Sequence, residues 1–187
     1  VYFDTDKGMD MIDGFMEGMI RSVIKYAPIA IAEPENYEAR ANLMWASSWA
    51  INGFISCGVQ NDWSCHPMEH ELSATYDITH GLGLAILTPR WLEYCLDETR
   101  LPRYVQFGVN VFGIDPSLEP MEIAKESIKR LSDVFFKDFG LKSTFTEIGI
   151  KKEDFAMMAA KACRDGNING FKTLSAEDVE KIYEMCL

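Results

Sequence analysis

The chain has 187 residues, of which 48% are hydrophobic, so it is long enough to bury a core and is not expected to be disordered as a whole. It carries 18 basic and 29 acidic residues, and a formal charge of -11 repels both phosphate backbones and anionic lipid headgroups, which argues against nucleic acid and the membrane surface as partners. No stretch approaches the roughly 20 apolar residues that a bilayer crossing needs.

Apolar spacing predicts helices along nearly the whole chain. Between Met9 and Tyr26, apolar side chains recur every three or four residues and form one stripe, which is typical of an amphipathic helix. Pro28 and Pro34 are expected to interrupt the chain before a second helix over 37–52.

The middle of the chain contains a helix start at His66-Pro67. The residue before a proline avoids the helical region and the proline suits the first helical position, so a helix is predicted over 67–76. The next helix, over 81–94, is apolar on most sides and is expected to be deeply buried. Further helices are predicted over 100–113, 119–139, 151–164 and 175–186, the last with Ser175 as its N-cap.

Strand signals are poor, since only the short segment Phe145 to Ile150 alternates between apolar and polar residues. The predicted fold is therefore an all-α, bundle-like single domain over 1–187 with little or no sheet. Five cysteines at irregular spacings predict reduced thiols in a cytoplasmic protein instead of a disulfide framework. Because the chain opens without an initiator Met, we expect it to be a fragment or a processed piece.

All three histidines, His66, His70 and His80, lie within fifteen residues. His66 and His70 are four residues apart at a helix start and project to one side, and His80 begins the next helix, which can fold back to meet them. Neutral imidazole is a favoured ligand of Zn²⁺ and Fe²⁺, and nearby carboxylates can complete a mixed shell. The alternative to a metal site is that the three histidines are ordinary core residues. His-x3-His is a weak signal for metal binding, because it lacks the His-Glu-x2-His order of the zinc proteases.

The residues around the histidines also leave two interpretations open. Gly81 and Gly83 open the helix after His80, where a bulky side chain would block either a ligand or another backbone, and close helix packing explains them as well. The segment is not a phosphate loop, since it lacks a preceding strand, a third glycine and a lysine. Either solvation or the fixing of imidazole tautomers accounts for the flanking residues, which are Asp62, Trp63, Glu69, Glu71, Tyr76 and Asp77.

Several segments together resemble one protein family. They are Glu35 to Ala46, the pair Asn52-Gly53, Gly58-Val59 followed by Asp62-Trp63, and the run from His66 through His70-Glu71-Leu72-Ser73-Ala74 to His80-Gly81. The family is the iron-containing (group III) alcohol dehydrogenases, and within it the branch of butanol dehydrogenases and NADPH-dependent aldehyde reductases. The resemblance runs through nearly the whole chain and is densest from 35 to 95.

The resemblance implies roles for the three histidines. Members of the family have an amino-terminal α/β domain that binds NAD(P)H and a carboxyl-terminal helical domain that supplies Fe²⁺ or Zn²⁺. This chain is similar to the helical domain, without the nucleotide-binding one. His66 and His80, fourteen residues apart, match two metal ligands, His70 matches the catalytic histidine of the proton relay, and His70 and His80 would lie beside the cofactor. The family's other ligand pair, Asp-x3-His, has no counterpart, because no histidine precedes His66.

The resemblance also implies an activity. In its full-length form the enzyme would interconvert a primary alcohol and its aldehyde with NAD(P)H as a homodimer, and the chain alone is expected to be inactive. Trp63, Leu72 and Ile86 are expected to shape a pocket for a short alkyl chain. The alternative is a helical scaffold or a metal-sensing interaction domain, which an acidic, Met-rich surface would suit.

Overall fold

The computed structural model describes residues 1–4, 9–58, 63–164 and 166–187, and within them every regular element is helical. The α-helices are α1 (Asp10–Ala32), α2 (Tyr37–Ile51), α3 (Cys65–Tyr76), α4 (His80–Cys95), α5 (Leu101–Phe112), α6 (Pro120–Asp133), α7 (Phe155–Cys163) and α8 (Ala176–Met185). The prediction of an all-α fold is confirmed. Within the described residues, none of these helices is both long enough and apolar enough to cross a lipid bilayer.

The helices fall into two compact units. Unit 1 comprises Val1–Asn61 and Asp97–Phe139 and contains α1, α2, α5 and α6. Unit 2 comprises Asp62–Leu96 and Gly140–Leu187 and contains α3, α4, α7 and α8. That residues 1–187 act as one domain stays a prediction.

In unit 1, α1 packs against α2 and α5, and α5 packs against α6. The approach of α5 to α6 depends on Gly108, because a Cβ at this position would lie 2.9 Å from Cγ2 of Ile123. An aromatic cluster fills the space near the amino terminus, with ring centroids 5.1–5.7 Å apart, and comprises Tyr2, Phe3, Tyr104 and Phe107. Apolar burial of this kind is the main stabilising term of such a core.

In unit 2, α3 packs against α4 and α7, and α8 packs against α4 and α7. Tyr183 of α8 is completely buried, and its hydroxyl donates to the carbonyl oxygen of Met68 in α3 at 2.8 Å. At the other end of the unit, the Tyr94 hydroxyl of α4 donates to Asp178 of α8 at 2.5 Å. Ser175 caps α8 as predicted, in a reciprocal capping box with Asp178. The bond from Tyr183 to Met68 fixes α3, which carries two of the histidines.

Some boundaries differ from those predicted. Pro28 does not interrupt the first helix but lies inside α1, because a proline removes one backbone donor and the neighbouring bonds can still carry the helix past it. The helix predicted from 67 begins at Cys65, and Pro67 is tolerated there because first-turn N–H groups have no partner within the helix. The helix predicted over 119–139 changes to a π-helical turn at Val134–Asp138.

Candidate metal centre

The three histidines come together where α3 turns into α4. His66 and His70 lie one turn apart on α3, and His80 is the first residue of α4. Between the helices Asp77 adopts a left-handed conformation (φ 51°), which aspartate tolerates better than most residues, and the chain reverses so that α4 packs against α3. The ring centroids lie 5.9 Å apart for His66 and His70, 5.2 Å for His66 and His80, and 5.5 Å for His70 and His80.

These distances fit imidazoles that share one cation. Nitrogens bound to one ion at about 2.1 Å in tetrahedral geometry place two ring centroids about 5 Å apart. Ligand atoms of Glu69, His70 and His80 also lie within 4.8 Å of one another. The cluster of nitrogen and oxygen donors therefore suits Fe²⁺ or Zn²⁺. The ring-centroid distances do not separate the pair His66–His80 from the pair His70–His80, and the ligand-atom distances group His70, not His66, with Glu69 and His80. The assignment of His66 and His80 as ligands therefore stays a prediction.

Among the candidate partners, the structure brings Glu69 to the site. Its side chain is completely buried, and Oε2 contacts Nδ1 of His80. Ser73 Oγ donates to Oε1 of the same carboxylate at 2.5 Å. Buried carboxylates that hold an imidazole are a recurring feature around protein-bound metals, because they fix the ring and its tautomer.

The environment of His66 favours its neutral form. Burial first, and then the electrostatic influence of His80 and His70, lower the pKa of His66 to about 4, against an opposing contribution from Glu69. A neutral imidazole is the form that binds a metal. Near neutral pH, this ring needs no proton loss before it can act as a ligand.

A cavity of about 600 Å³ borders His66 and His70. Trp63 is half exposed and meets the edge of His66, with ring centroids 4.3 Å apart. The other predicted pocket residues, Leu72 and Ile86, are completely buried core side chains and do not line this cavity, so the expectation for them is wrong. The lining also includes a segment near the carboxyl end that carried no predicted role, namely Cys163, Arg164, Asn167 and Asn169.

The remaining candidate partners have other positions. Tyr76 donates to Asp154 and accepts the backbone N–H of Lys151 at 3.1 Å, so its hydroxyl is engaged by the segment before α7. Asp77 ends α3. Asp62 lies outside the described residues. Of the two glycines, Gly81 has nothing within 4 Å of the place where a Cβ would be, whereas at Gly83 a Cβ would meet the Glu69 side chain.

Comparison with known proteins places these observations in a family. Residues 1–187 match the model of the Fe-containing alcohol dehydrogenase family, C-terminal. The chain is 49% identical over 185 residues to NADH-dependent butanol dehydrogenase A of Clostridium acetobutylicum, a match that covers 98% of this chain and 47% of that protein. It is 34% identical over 139 residues to the NADPH-dependent aldehyde reductase YqhD of Escherichia coli, covering 74% of this chain and 35% of that protein.

The fold agrees with the sequence match. The crystal structure of NADH-dependent butanol dehydrogenase A from Thermotoga maritima superimposes with a TM-score of 0.88 at 30% identity, over 99% of this chain and 48% of that chain. Substrate- and cofactor-free YqhD from Escherichia coli gives a TM-score of 0.90 at 28% identity, over 100% of this chain and 49% of that chain. The chain spans about half the length of the curated relatives that it matches over nearly all of its own length.

Proposed function

The chain belongs to the iron-containing alcohol dehydrogenase family, and we propose that it provides the metal centre of an enzyme that interconverts primary alcohols and aldehydes with NAD(P)H. The observation that carries this proposal is the convergence of three imidazoles, with centroids 5.2–5.9 Å apart, beside a buried carboxylate. The proposed substrate class follows relatives named as an NADH-dependent butanol dehydrogenase and an NADPH-dependent aldehyde reductase. In this proposal residues 1–187 act as one helical domain and turn over alcohol only together with a nucleotide-binding domain.

His66 and His80 are the proposed ligands of the divalent ion, Fe²⁺ by family or Zn²⁺ by donor chemistry. Such an ion, when bound, supplies Lewis-acid polarisation of the substrate oxygen. Support for His66 comes from its low pKa, which keeps the ring neutral, and support for His80 comes from the buried carboxylate at its Nδ1.

His70 is the proposed catalytic residue and the neighbour of the nicotinamide, with His80 also contributing to the cofactor site. The ring of His70 lines the cavity beside His66 and lies 5.5 Å from the ring of His80, which supports a role in receiving the proton of a hydroxyl bound there. Imidazole suits this task because it exchanges protons near neutral pH. Trp63 gives the cavity an apolar wall for the alkyl group of a short alcohol. The family resemblance also leads us to propose a homodimer.

Metal titration of single-histidine variants tests the ligand assignment. We expect His66→Ala and His80→Ala to lose at least about 100-fold in affinity for Zn²⁺ or anaerobic Fe²⁺, the upper end of what outer-sphere changes cost, because each removes a ligand. His70→Ala should stay within a few-fold of the wild-type protein. Competition with a chromophoric chelator measures all four proteins on one scale.

Two results would contradict the proposal in different ways. A loss for His70→Ala that exceeds the loss for His66→Ala would replace the ligand pair by His70 and His80. Equal and negligible affinity in all four proteins would favour the alternative function, a helical scaffold with histidines that bind no metal, if it persisted in a longer chain that also contains the family's Asp-x3-His pair.

A further inference from the structure

Glu69 is a carboxylate with no exposed surface, and both of its oxygens are engaged. A buried carboxylate is costly unless donors satisfy it. Ser73 Oγ lies 2.5 Å from Oε1, and the same hydroxyl is 3.2 Å from the carbonyl oxygen of Ile78, so the shorter contact to Glu69 is preferred. The second oxygen, Oε2, contacts Nδ1 of His80. Glu69, on α3, therefore links Ser73 of the same helix to His80, the first residue of α4.

His80 depends on this contact for its orientation. Its side chain is 47% exposed, against 0% for Glu69, so solvent on its open side does little to restrict the ring. An ionised carboxylate only accepts hydrogen bonds, which requires the proton of a neutral His80 ring to sit on Nδ1. Nε2 then carries the lone pair and is the one ring nitrogen of His80 left to bind a metal.

Gly83 provides the space that the carboxylate occupies. A Cβ at this position would lie 2.7 Å from both Cγ and Oε1 of Glu69, closer than real Cβ atoms come to other atoms, and 3.1 Å from Cδ. Because the atoms in the way belong to a flexible side chain, any larger residue at 83 would displace Glu69 and leave the backbone in place. Gly81, on the same helix, has open space around its Cβ position and provides the matched comparison.

We propose that Glu69 is a positioning residue that holds His80 as the Nδ1–H tautomer with Nε2 directed to the metal, and that position 83 is glycine because Glu69 needs the space. This inference deepens the proposed function and rests on it for the identity of His80 as a metal ligand. The tautomer itself is a property of the metal-free protein.

Two measurements test the inference in Glu69→Gln and Gly83→Ala, with Gly81→Ala and the exposed Glu93→Gln as controls. Long-range ¹H–¹⁵N spectra report which nitrogen of each ring is protonated, and only three histidines have to be assigned. We expect Nδ1–H for His80 in the wild-type protein and both controls, and a mixture of tautomers in the two test variants. Affinity for Zn²⁺ should fall roughly 10- to 100-fold in both test variants and stay within about twofold in the controls.

The outcomes separate this inference from the proposed function. Unchanged tautomer and unchanged Zn²⁺ affinity in Glu69→Gln and Gly83→Ala would overturn the positioning role, even where the wild-type protein binds metal tightly. A wild-type protein without metal affinity, in a chain that also contains the family's Asp-x3-His pair, would refute the proposed function, and the tautomer spectra would still decide the role of Glu69. Circular dichroism checks folding, and if Glu69→Gln does not fold, Gly83→Ala decides alone, since it keeps the carboxylate and moves it.

Discussion

Each compact unit buries a carboxylate, and the two carboxylates differ in what neutralises them. In unit 1, Asp13 is 2% exposed and receives a two-pronged ion pair from Arg103, with N–O distances of 2.5 and 2.6 Å. In unit 2, Glu69 is 0% exposed and meets a hydroxyl and a half-exposed imidazole. A guanidinium is charged at every accessible pH, whereas an imidazole is neutral over most of the physiological range.

The network around Asp13 is closed within the protein. Neighbouring Glu17 accepts bonds at Oε1 from Tyr2, Gln106 and Asn110 at 2.7–3.1 Å. Burial raises the pKa of Asp13, but hydrogen bonds from Arg103 and Gln106 and the charge of Arg103 lower it more, so the net shift is downward. Each of these interactions stabilises the ionised carboxylate and therefore the folded state.

The difference between the units distinguishes a structural ion pair, Asp13–Arg103, from a candidate metal site, Glu69–His80. Arg103 donates to Asp13 and to the carbonyl oxygen of Tyr2. We therefore interpret this pair as structural and not as a ligand site. His80 uses one nitrogen for Glu69 and has a second nitrogen on a ring that also faces two other imidazoles. In this chain, a buried carboxylate indicates a functional site where its partner keeps an atom that can bind a ligand, as Nε2 of His80 does.

The largest expected effect is the loss of stability when the pair in unit 1 is broken. Asp13→Ala leaves the buried guanidinium of Arg103 without its counter-charge and should lower the free energy of unfolding by about 3–5 kcal/mol. Urea denaturation followed by circular dichroism measures it. Asp10→Ala, exposed in the first turn of the same helix, is the control and should change stability little. A loss equal to that of the control would mean that the pair is not a structural charge.

The next effect concerns metal and distinguishes the units directly. A ligand that binds only the folded state at 100 times its Kd raises the free energy of unfolding by about 2.7 kcal/mol. We expect this increment from Zn²⁺ in the wild-type protein and in Asp13→Ala, because the ion pair of unit 1 takes no part in binding. Removal of the metal by a chelator should reverse it.

The same titration in His80→Ala should give almost no increment, since a proposed ligand is absent. Urea curves with and without Zn²⁺ provide the comparison. If Asp13→Ala loses the stabilisation by Zn²⁺ while His80→Ala keeps it, the metal site involves Asp13 and not Glu69, and our assignment of the two carboxylates is wrong.

Much of this fold follows from the spacing of apolar residues. Local patterns predicted helices over 9–26, 37–52 and 175–186, which the structure has at 10–32, 37–51 and 176–185. The cap at Ser175 is confirmed, because its partner Asp178 lies only three residues away. The end of α1 was wrong, since it depends on whether bonds around Pro28 can carry the helix onward. The short alternating segment Phe145 to Ile150 contains a 3₁₀ turn, because it has no neighbouring strand to pair with in the described residues.

The site was predictable only in part. The histidines converge because His66 and His70 are four residues apart on one helix and His80 begins the next helix. Both features can be read from the local sequence. The sequence did not single out Glu69 from Glu71, because which residue is buried depends on how Tyr183, more than a hundred positions away, fixes α3. The cavity-lining segment with Asn167 and Asn169 is equally distant in sequence, and its amides carried no signal that linked it to the histidines.

A smaller effect is expected when the carboxylate of unit 2 is removed without metal. Glu69→Ala leaves the half-exposed imidazole of His80 without its acceptor, so we expect a loss of roughly 1–3 kcal/mol, below that of Asp13→Ala. Thermal and urea unfolding of the metal-free proteins measure the difference, with Glu93→Ala as the exposed control. A loss as large as that of Asp13→Ala would show that His80 is held as an imidazolium and that the two buried pairs are alike.

The smallest effect involves a third carboxylate, Asp178, whose closest partners are uncharged. Partial burial raises its pKa, but hydrogen bonds from Tyr94 and from the backbone and hydroxyl of Ser175 lower it more, so the net pKa lies below its ordinary value. A group with a lowered folded-state pKa stabilises the protein above its unfolded pKa, and this contribution disappears as the pH falls through the folded value. Asp178→Asn should therefore cost about 1 kcal/mol near pH 6, as a capping residue does, and progressively less below about pH 4.

Urea unfolding of the wild-type protein and Asp178→Asn at several pH values gives this difference directly. The exposed Glu177→Gln, in the same first turn of α8, controls for the change in net charge. A cost of Asp178→Asn that grows toward low pH would reverse the sign and mean that the carboxyl is bound in its protonated form. A carboxylate whose hydrogen-bond donors are uncharged would then behave unlike Asp13, whose donor Arg103 is charged.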